Sequence, residues 1–507
     1  MTDPSRFIDR RALLGATTGL GLVGPVADAV GATPAALPVA NTTPPEEVTQ
    51  LLSRYLVGAS YRDLPPEVRR QGVRTLFNWV GCAVGGSRHE AVDRALAALG
   101  PFSGAPQATV LGRSERFDCL TTALLNGIAS HVFDYDDTHL KTIIHPAGPV
   151  VSAILALSQR FTISGDAFLN ALVLGVETEC RIGNSVYPEH YEMGWHITGA
   201  TGAFGAAAAC GKLLDLDEHQ MAWALGIAAS QPVGLKVQFG SMTKSFHPGR
   251  AAHNGMTAAL LAQQGFTADP TAIEGKDGWG QALSTRHNWA EVTLGLGTRY
   301  EAALNTYKPF ACGIVSHPAI DAAIQLRNEH HLQSPEVEAV TLHCNPLVPS
   351  LTGKTDPMTG LEGKFSIYHC VAVGLIFGAA GERQFSDAVV RDPEVAALRR
   401  KIVLRIDPMV SADKCDLTLR LKDGQVLTRH IEHAVGSLEA PMTDQMLEAK
   451  FADLAKGVLP DAQARRLMDL CWGIEKLDRA GDLALAAADC TSAGVPLTPR
   501  RGQSDHG

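Results

Sequence analysis

The sequence predicts a mainly α protein in which a large all-helical domain is interrupted by a smaller α+β lid domain. Three observations carry this reading. Apolar residues recur at three- and four-residue intervals from residue 46 to 307, strand-like alternation interrupts them over 308–438, and the helical period returns over 439–490. The chain has 507 residues, 45% of them apolar, whereas a single hydrophobic core usually stops growing near ~250–300 residues.

Taken in order, residues 1–45 are expected to be a signal and linker. Arg10-Arg11 precede an apolar run from Ala12 to Val26, and Ala27-Asp28-Ala29 offers a small-x-small cleavage site, with Ala32 a second candidate. That pattern reads as a twin-arginine export signal to the periplasm, the alternative being an extension with an accidental Arg pair on a cytoplasmic protein. The run is too short and too rich in Gly and Thr to span a bilayer. Pro34, Pro38, Pro44 and Pro45 mark the linker. Helices follow at Pro45 to Val57, Pro65 to Val84, His89 to Leu99 and Cys119 to Val132. More apolar ones follow at Val150 to Phe161, Gly165 to Gly183, Thr198 to Leu214, Asp217 to Ser230 and Arg250 to Gln264. Gly199, Gly202, Ala206 and Cys210 form a small-residue face that lets helix backbones approach closely, in a membrane or in a buried bundle. Charged and Pro-containing turns between the segments favour the bundle.

After Lys308, Glu336 to Cys344 and Lys401 to Ile406 alternate as strands, and Asp416 to Glu432 reads as a hairpin turning at Asp423-Gly424. Helical stretches at Pro318 to Glu329, Phe365 to Ala379 and Asp392 to Arg400 lie between them. The tail, residues 491–507, has few apolar residues and is expected to be disordered.

With 44 basic and 53 acidic residues the formal charge is -9, which argues against nucleic acid or an anionic membrane surface as the partner of the mature protein. A basic cleft on an acidic protein still suits a small anion. The ten cysteines are scattered without any C-x-x-C pair, so they read as small buried hydrophobes and not as a disulfide or metal framework. No glycine-rich phosphate loop follows a strand.

Two polar stretches stand out between apolar helices. FDYDDTHLKTIIHPAG packs Asp134, Asp136, Asp137, Thr138, His139, Lys141 and His145 together before a helix start. This suits a carboxylate orienting an imidazole, with helix N-terminal amides meeting an anion. The same residues also fit an acidic helix cap, and three aspartates with two histidines can bind a metal, although their spacing matches no ligand motif. GLKVQFGSMTKSFHPGRAAHNG concentrates Lys236, Lys244, His247, Arg250 and His253 in a chain with only 19% charged residues. Arg offers a planar fork and Lys a point charge, so the stretch can hold carboxylates, or it is a solvated loop. His196 begins a small-residue helix in GWHITGATGAFGA; a lone His there is a candidate only in company with the other two stretches.

These residues fall in an ordered set of motifs. They are D-x-D-D-T and H-P-A-G (Asp134 to Gly148), G-W-H with its Gly/Ala helix (Gly194 to Ala209), and T-K-x-x-H-x-G (Thr243 to Gly249) continuing to Gly255. Further on come K-P-F-x-C (Lys308 to Cys312) with Ser316-His317-Pro318, and K-F-S-I (Lys364 to Ile367). The chain thereby resembles the MmgE/PrpD family, which includes 2-methylcitrate dehydratase, cis-aconitate decarboxylase and iminodisuccinate epimerase.

The resemblance implies a homodimer and cofactor-independent, metal-free catalysis in a cleft between the helical domain and the lid. The substrate it implies is a small polycarboxylate. It places Asp134, Thr138, His145, His196, Lys244 and Lys308 at active-site positions. The expected roles are His145 for proton transfer, Asp134 as its orienter, Lys244 and Lys308 as carboxylate anchors, and Thr138 and His196 as hydrogen-bond partners. His247, Arg250 and His369 are further expected binding residues. Three departures stand out. One extra residue separates Thr138 from His145 relative to the decarboxylase-like members, His369 aligns with a tyrosine of those members, and Gly313 lies where the decarboxylase has a second lid histidine. They favour dehydration of a hydroxy-polycarboxylate, with epimerisation as the alternative, over cis-aconitate decarboxylation. An exported carboxylate-binding protein without catalysis is the reading from another class.

Overall fold

Helix after helix opens the computed structural model, which describes residues 47–489. The expected signal, linker and disordered tail lie outside those residues. The helices are Val48–Gly58, Pro66–Gly86, Glu90–Leu99, Cys119–His131, Ala147–Arg160, Gly165–Val186, Ile197–Leu213, Glu218–Ala229 and Met242–Gln263. Side-chain caps set several starts. The Asp118 carboxylate accepts from the Thr121 amide, and Asp217 forms a reciprocal capping box with Gln220.

The last of these helices begins well before Arg250, where the sequence places its start. Pro248 lies inside it, although proline has no N–H for the carbonyl four residues back and normally breaks a helix. Packing overrides that preference: Pro248, Gly249, Ala251 and Ala252 are all buried. A Cβ on Gly127 would lie 2.3 Å from the Gly249 Cα, and one on Gly249 would lie 2.3 Å from the Leu124 carbonyl oxygen. Helices Cys119–His131 and Met242–Gln263 therefore touch backbone to backbone at a Gly–Gly crossing.

One core gathers Phe77, Trp79, Leu172, Phe204 and Met256 with Phe451 and Leu467 from the returning helices Asp444–Ala455 and Asp461–Trp472. Phe77 stacks on Trp472 with ring centroids 4.3 Å apart. The smaller α+β region has its own core around Ile320, Leu342, Val373, Leu417 and Leu419. Its four strands run in the order Ile402–Ile406, Val337–Cys344, Cys415–Leu421, Val426–Ile431, the first pair parallel and the others antiparallel. Gly424, in the left-handed region at φ 90°, closes the expected hairpin. Helix His317–His330 lies against that hairpin, and Ile367–Phe377 packs on the helix.

A second small sheet matters most for the site. Strand Asp137–His139 pairs antiparallel with Asn305–Tyr307, Thr138 facing Thr306, and so ties the first polar stretch to the segment that leads into the α+β region. No helix among the described residues is long and apolar enough to cross a membrane. The nine described cysteines are buried and unpaired.

Candidate active site

Helix Cys119–His131 ends just before Asp134, which turns the chain with φ 50°, a left-handed conformation that Asp tolerates better than most residues. The small sheet then fixes Lys308 beside it. Lys308 Nζ donates to Asp134 Oδ1 at 3.0 Å and to the Asp134 carbonyl at 3.1 Å. From the opposite side Lys244 Nζ donates to the same Oδ1 at 2.7 Å and to His131 Nε2 at 2.8 Å. The Gly127–Gly249 crossing lets Lys244 and His131 meet, one turn beyond it on each helix. His131 Nδ1 sits 2.6 Å from Asp136 Oδ2. A carboxylate only accepts, so Nδ1 carries the His131 proton and Nε2 offers its lone pair to Lys244. Burial would raise Asp134, but the fields of Lys244 and Lys308 overcome it and hold the carboxyl well below its ordinary range. Burial lowers Lys244, and Asp134 opposes that shift.

His145 is presented by the turn between the small sheet and helix Ala147–Arg160. Its Nδ1 lies 2.7 Å from the Asp137 carbonyl and 3.2 Å from Thr138 Oγ1. A carbonyl is an acceptor alone, so Nδ1 is the protonated nitrogen, and Nε2 is an unprotonated lone pair without a hydrogen-bond partner among the described residues. The His145 amide donates to Thr198 Oγ1 at 3.1 Å, and the Ala147 amide donates to Asp137 Oδ2 at 3.1 Å. Burial and the field of Lys308 push the imidazole well below its ordinary value, with Asp136 only partly opposing them, so it is neutral. His196 and His247 face each other through their Nδ1 atoms at 2.9 Å. Burial lowers both, His247 to about 3.

Asp134, His145, His196, Lys244 and Lys308 line one cavity of about 340 Å³, its open side included. Its remaining walls are Ile143, Tyr191, Phe239, Gly313, Ile314, Val315, Leu351, Thr352 and Phe365. Thr138 and His247 support it from behind by bonding the two imidazoles.

Three expectations need correction. Asp134 does not orient His145; its Oδ1 is held by two lysines, and the Asp137 main chain does the orienting. Arg250 stands six residues past Lys244 on one helix, about 240° around it, and does not line the cavity. His369 is fully buried in the α+β region, its Nε2 2.9 Å from the Gln384 carbonyl and its Nδ1 accepting from Arg399 at 3.3 Å.

Sequence reasoning missed His131, whose signal was its place three residues before Asp134 at the end of an apolar helix. It also missed Tyr191, Phe239 and Phe365, which line the cavity, and Lys450. Lys450 comes from the returning helix Asp444–Ala455 and donates to the carbonyls of Tyr135 at 2.6 Å and Lys308 at 2.8 Å. It thus ties the backbone just after Asp134 to that of Lys308.

His131, His145 and His196 offer ring nitrogens within 4.8 Å of one another, as do His131, Asp134 and Asp136 their ligand atoms. A cation in either group would compete with the Lys244 ammonium, which already occupies His131 Nε2 and Asp134 Oδ1. The donor set therefore fits an internal ammonium better than a metal ion.

The MmgE/PrpD N-terminal domain matches residues 50–292 and the MmgE/PrpD C-terminal domain matches residues 310–474. Cis-aconitate decarboxylase of Aspergillus terreus is 27% identical over 464 residues, covering 85% of this chain and 94% of the relative. The Mus musculus enzyme of the same name is 26% identical over 458 residues, covering 85% and 92%. The 2-methylcitrate dehydratase of Salmonella typhimurium is 23% identical over 450 residues, covering 80% and 88%. With both domains matched in order across most of its length, the chain belongs to the MmgE/PrpD family and is related to both cis-aconitate decarboxylase and 2-methylcitrate dehydratase.

Proposed function

We propose that the protein is a lyase that removes a proton α to a carboxylate of a small hydroxy-polycarboxylate and expels the β-hydroxyl as water. The observation that carries this reading is the free Nε2 lone pair of His145 in a cavity it shares with Lys244 and Lys308. An ammonium has three N–H donors. Lys244 spends two on His131 and Asp134, and Lys308 spends two on the carbonyl and carboxylate of Asp134. One N–H remains on each, and both ammonium groups touch the same Asp134 oxygen, so together they suit one bridging carboxylate.

That carboxylate would be the one whose α-carbon loses a proton. As His145 Nε2 takes the proton, negative charge moves onto the carboxylate oxygens and the two lysine N–H groups stabilise it. The bound anion also offsets the lysine fields that hold the imidazole down, which raises the basicity of His145 at the moment it is needed. Asp134 Oδ2 is buried without a hydrogen-bond partner and lines the cavity, so it suits a substrate hydroxyl as donor. With His247 as donor in the Nδ1–Nδ1 contact, His196 would carry its proton on Nε2 and donate a hydrogen bond to the departing hydroxyl, which leaves as water with the proton that His145 has taken.

The second reading is loss of CO₂, favoured by the higher identity to the decarboxylases among these relatives. Incubation with hydroxy-di- and tricarboxylates and their unsaturated counterparts in D₂O, followed by NMR, tests the proposal. It predicts an olefinic product and deuterium at the α-carbon without carbon loss. Absence of exchange and of olefin with every acid that binds would overturn it.

A further inference from the structure

Every N–H of the buried Lys450 ammonium is spent on an uncharged oxygen: Asn78 Oδ1 at 2.8 Å, the Tyr135 carbonyl at 2.6 Å and the Lys308 carbonyl at 2.8 Å. The Tyr135 ring adds a cation–π contact, its centroid 4.0 Å from Nζ. These oxygens come from separate parts of the chain. Asn78 lies in helix Pro66–Gly86, Tyr135 follows Asp134, and Lys308 leads into the α+β region. One nitrogen therefore fixes the spacing between the Asp134 turn and the backbone that carries Lys308.

That spacing depends on charge. Bonds from an ionised donor are roughly twice as strong as neutral ones, and an uncharged amine has two N–H groups where the ammonium has three. Burial brings Lys450 down from its ordinary 10.5 to about 8. The titratable groups that face it are Cys82 on helix Pro66–Gly86, Asp136 and Asp137 of the first polar stretch, and Lys308; the acidic ones draw it up and Lys308 pushes it down.

Resting on the function proposed above, we infer that Lys450 is a positioning residue, whose charged form holds Lys308 against the Asp134 turn in the place where it receives the substrate carboxylate. Loss of the Lys450 proton removes one of its bonds and weakens the others, and the grip on the carboxylate loosens. The resulting fall in activity is not unfolding. Between about 8 and 10.5 the unfolded chain keeps this proton and the folded protein does not, so this group's contribution to stability rises with pH across that window.

The test is the pH profile of kcat/KM, which reports groups of the free enzyme, for whichever of citrate, 2-methylcitrate and malate reacts. In the wild-type protein it falls about tenfold per pH unit above the midpoint of Lys450. Asn78→Asp keeps an oxygen on Lys450, and Asn78 Nδ2 is buried without a hydrogen-bond partner among the described residues, so the change gives up no bond. A carboxylate in contact raises the ammonium, so in this variant the fall begins about 1–3 pH units higher, with the plateau within about threefold of wild type. A fall that begins at the same pH in both proteins, or no fall in the wild type, overturns the inference and leaves the lyase reading intact. If none of the acids reacts, the failure belongs to the lyase reading. NMR of the intact wild-type protein carrying [13Cε]lysine then decides, as it does if Asn78→Asp does not fold. The Lys308 signal, identified by its loss in Lys308→Arg, should shift with a midpoint near pH 8, and a Lys308 signal that stays level through that midpoint overturns the inference.

Discussion

Gly127→Ala should disable the site without touching it. Alanine normally stabilises a helix interior over glycine by ~1 kcal/mol. Here the new Cβ would lie 2.3 Å from the Gly249 Cα and 2.7 Å from its nitrogen. Relief to an ordinary carbon–carbon contact requires the two helices to part by roughly 1.4 Å. Overpacking of that kind costs ~1–3 kcal/mol, and loss of the buried charge-assisted bond from Lys244 to His131 adds ~1.5–3 kcal/mol. The expected net destabilisation is about 1.5–5 kcal/mol once the propensity gain is subtracted. A reacting group displaced by ~1 Å loses on the order of a hundredfold in rate, so kcat should fall by about that factor. Urea denaturation and steady-state kinetics read both quantities. Gly249→Ala, whose Cβ would meet the Leu124 carbonyl oxygen at 2.3 Å, should behave alike. A Gly127→Ala protein as stable as wild type, with turnover within about twofold, would refute the argument that this crossing positions Lys244.

Other perturbations separate charge from packing. Lys244→Met leaves Asp134 with one lysine; stability should fall by on the order of 3 kcal/mol, and adding Asp134→Asn should recover most of it with activity still absent, as denaturation curves of both variants would show. Burial, with Asp136 alongside, raises Asp137 to about 7 from ~3.9 in the unfolded chain. Between those values the folded state holds a proton that the unfolded state releases, so stability falls as pH rises from ~4 to ~7 and is level above. Asp137→Asn removes that loss, and its advantage over wild type should grow across the same window, to at most on the order of 4 kcal/mol; an unchanging difference would contradict the placement of this proton. Dialysis against a chelator should leave turnover unchanged, and activity lost to chelation then restored by a divalent ion would refute the assignment of His131 Nε2 to Lys244.

Much of the architecture was legible because it rests on local pattern. The three-four apolar spacing of Gly165–Val186 and the alternation of Cys415–Leu421 announce their elements, as does the Asp423-Gly424 turn. The helix around Pro248 was not, because its continuity comes from a Gly–Gly contact between segments more than a hundred residues apart. The candidate site was legible as composition and not as geometry. Asp134, His145 and Lys244 stand out as polar residues between apolar helices, but which carboxylate serves which base depends on the pairing of Asp137–His139 with Asn305–Tyr307. Lys308 came only from family resemblance, since a lysine beside a proline carries no local signal. His131 hid inside an apolar helix and is recognisable only once Lys244 is seen against it. Arg250 and His369 failed for the opposite reason: their chemistry suited the task, but helix rotation and the core of the α+β region direct them elsewhere.

The central claim is that His145 takes the α-proton while Lys244 and Lys308 hold the carboxylate. The most direct measurement is solvent deuterium exchange at the substrate α-carbon in His145→Gln, with affinity for the same acid measured in parallel. The account predicts affinity within about threefold of wild type and exchange reduced by ~10²–10⁴-fold, the contribution of a positioned base. Exchange at the wild-type rate in the variant would contradict it.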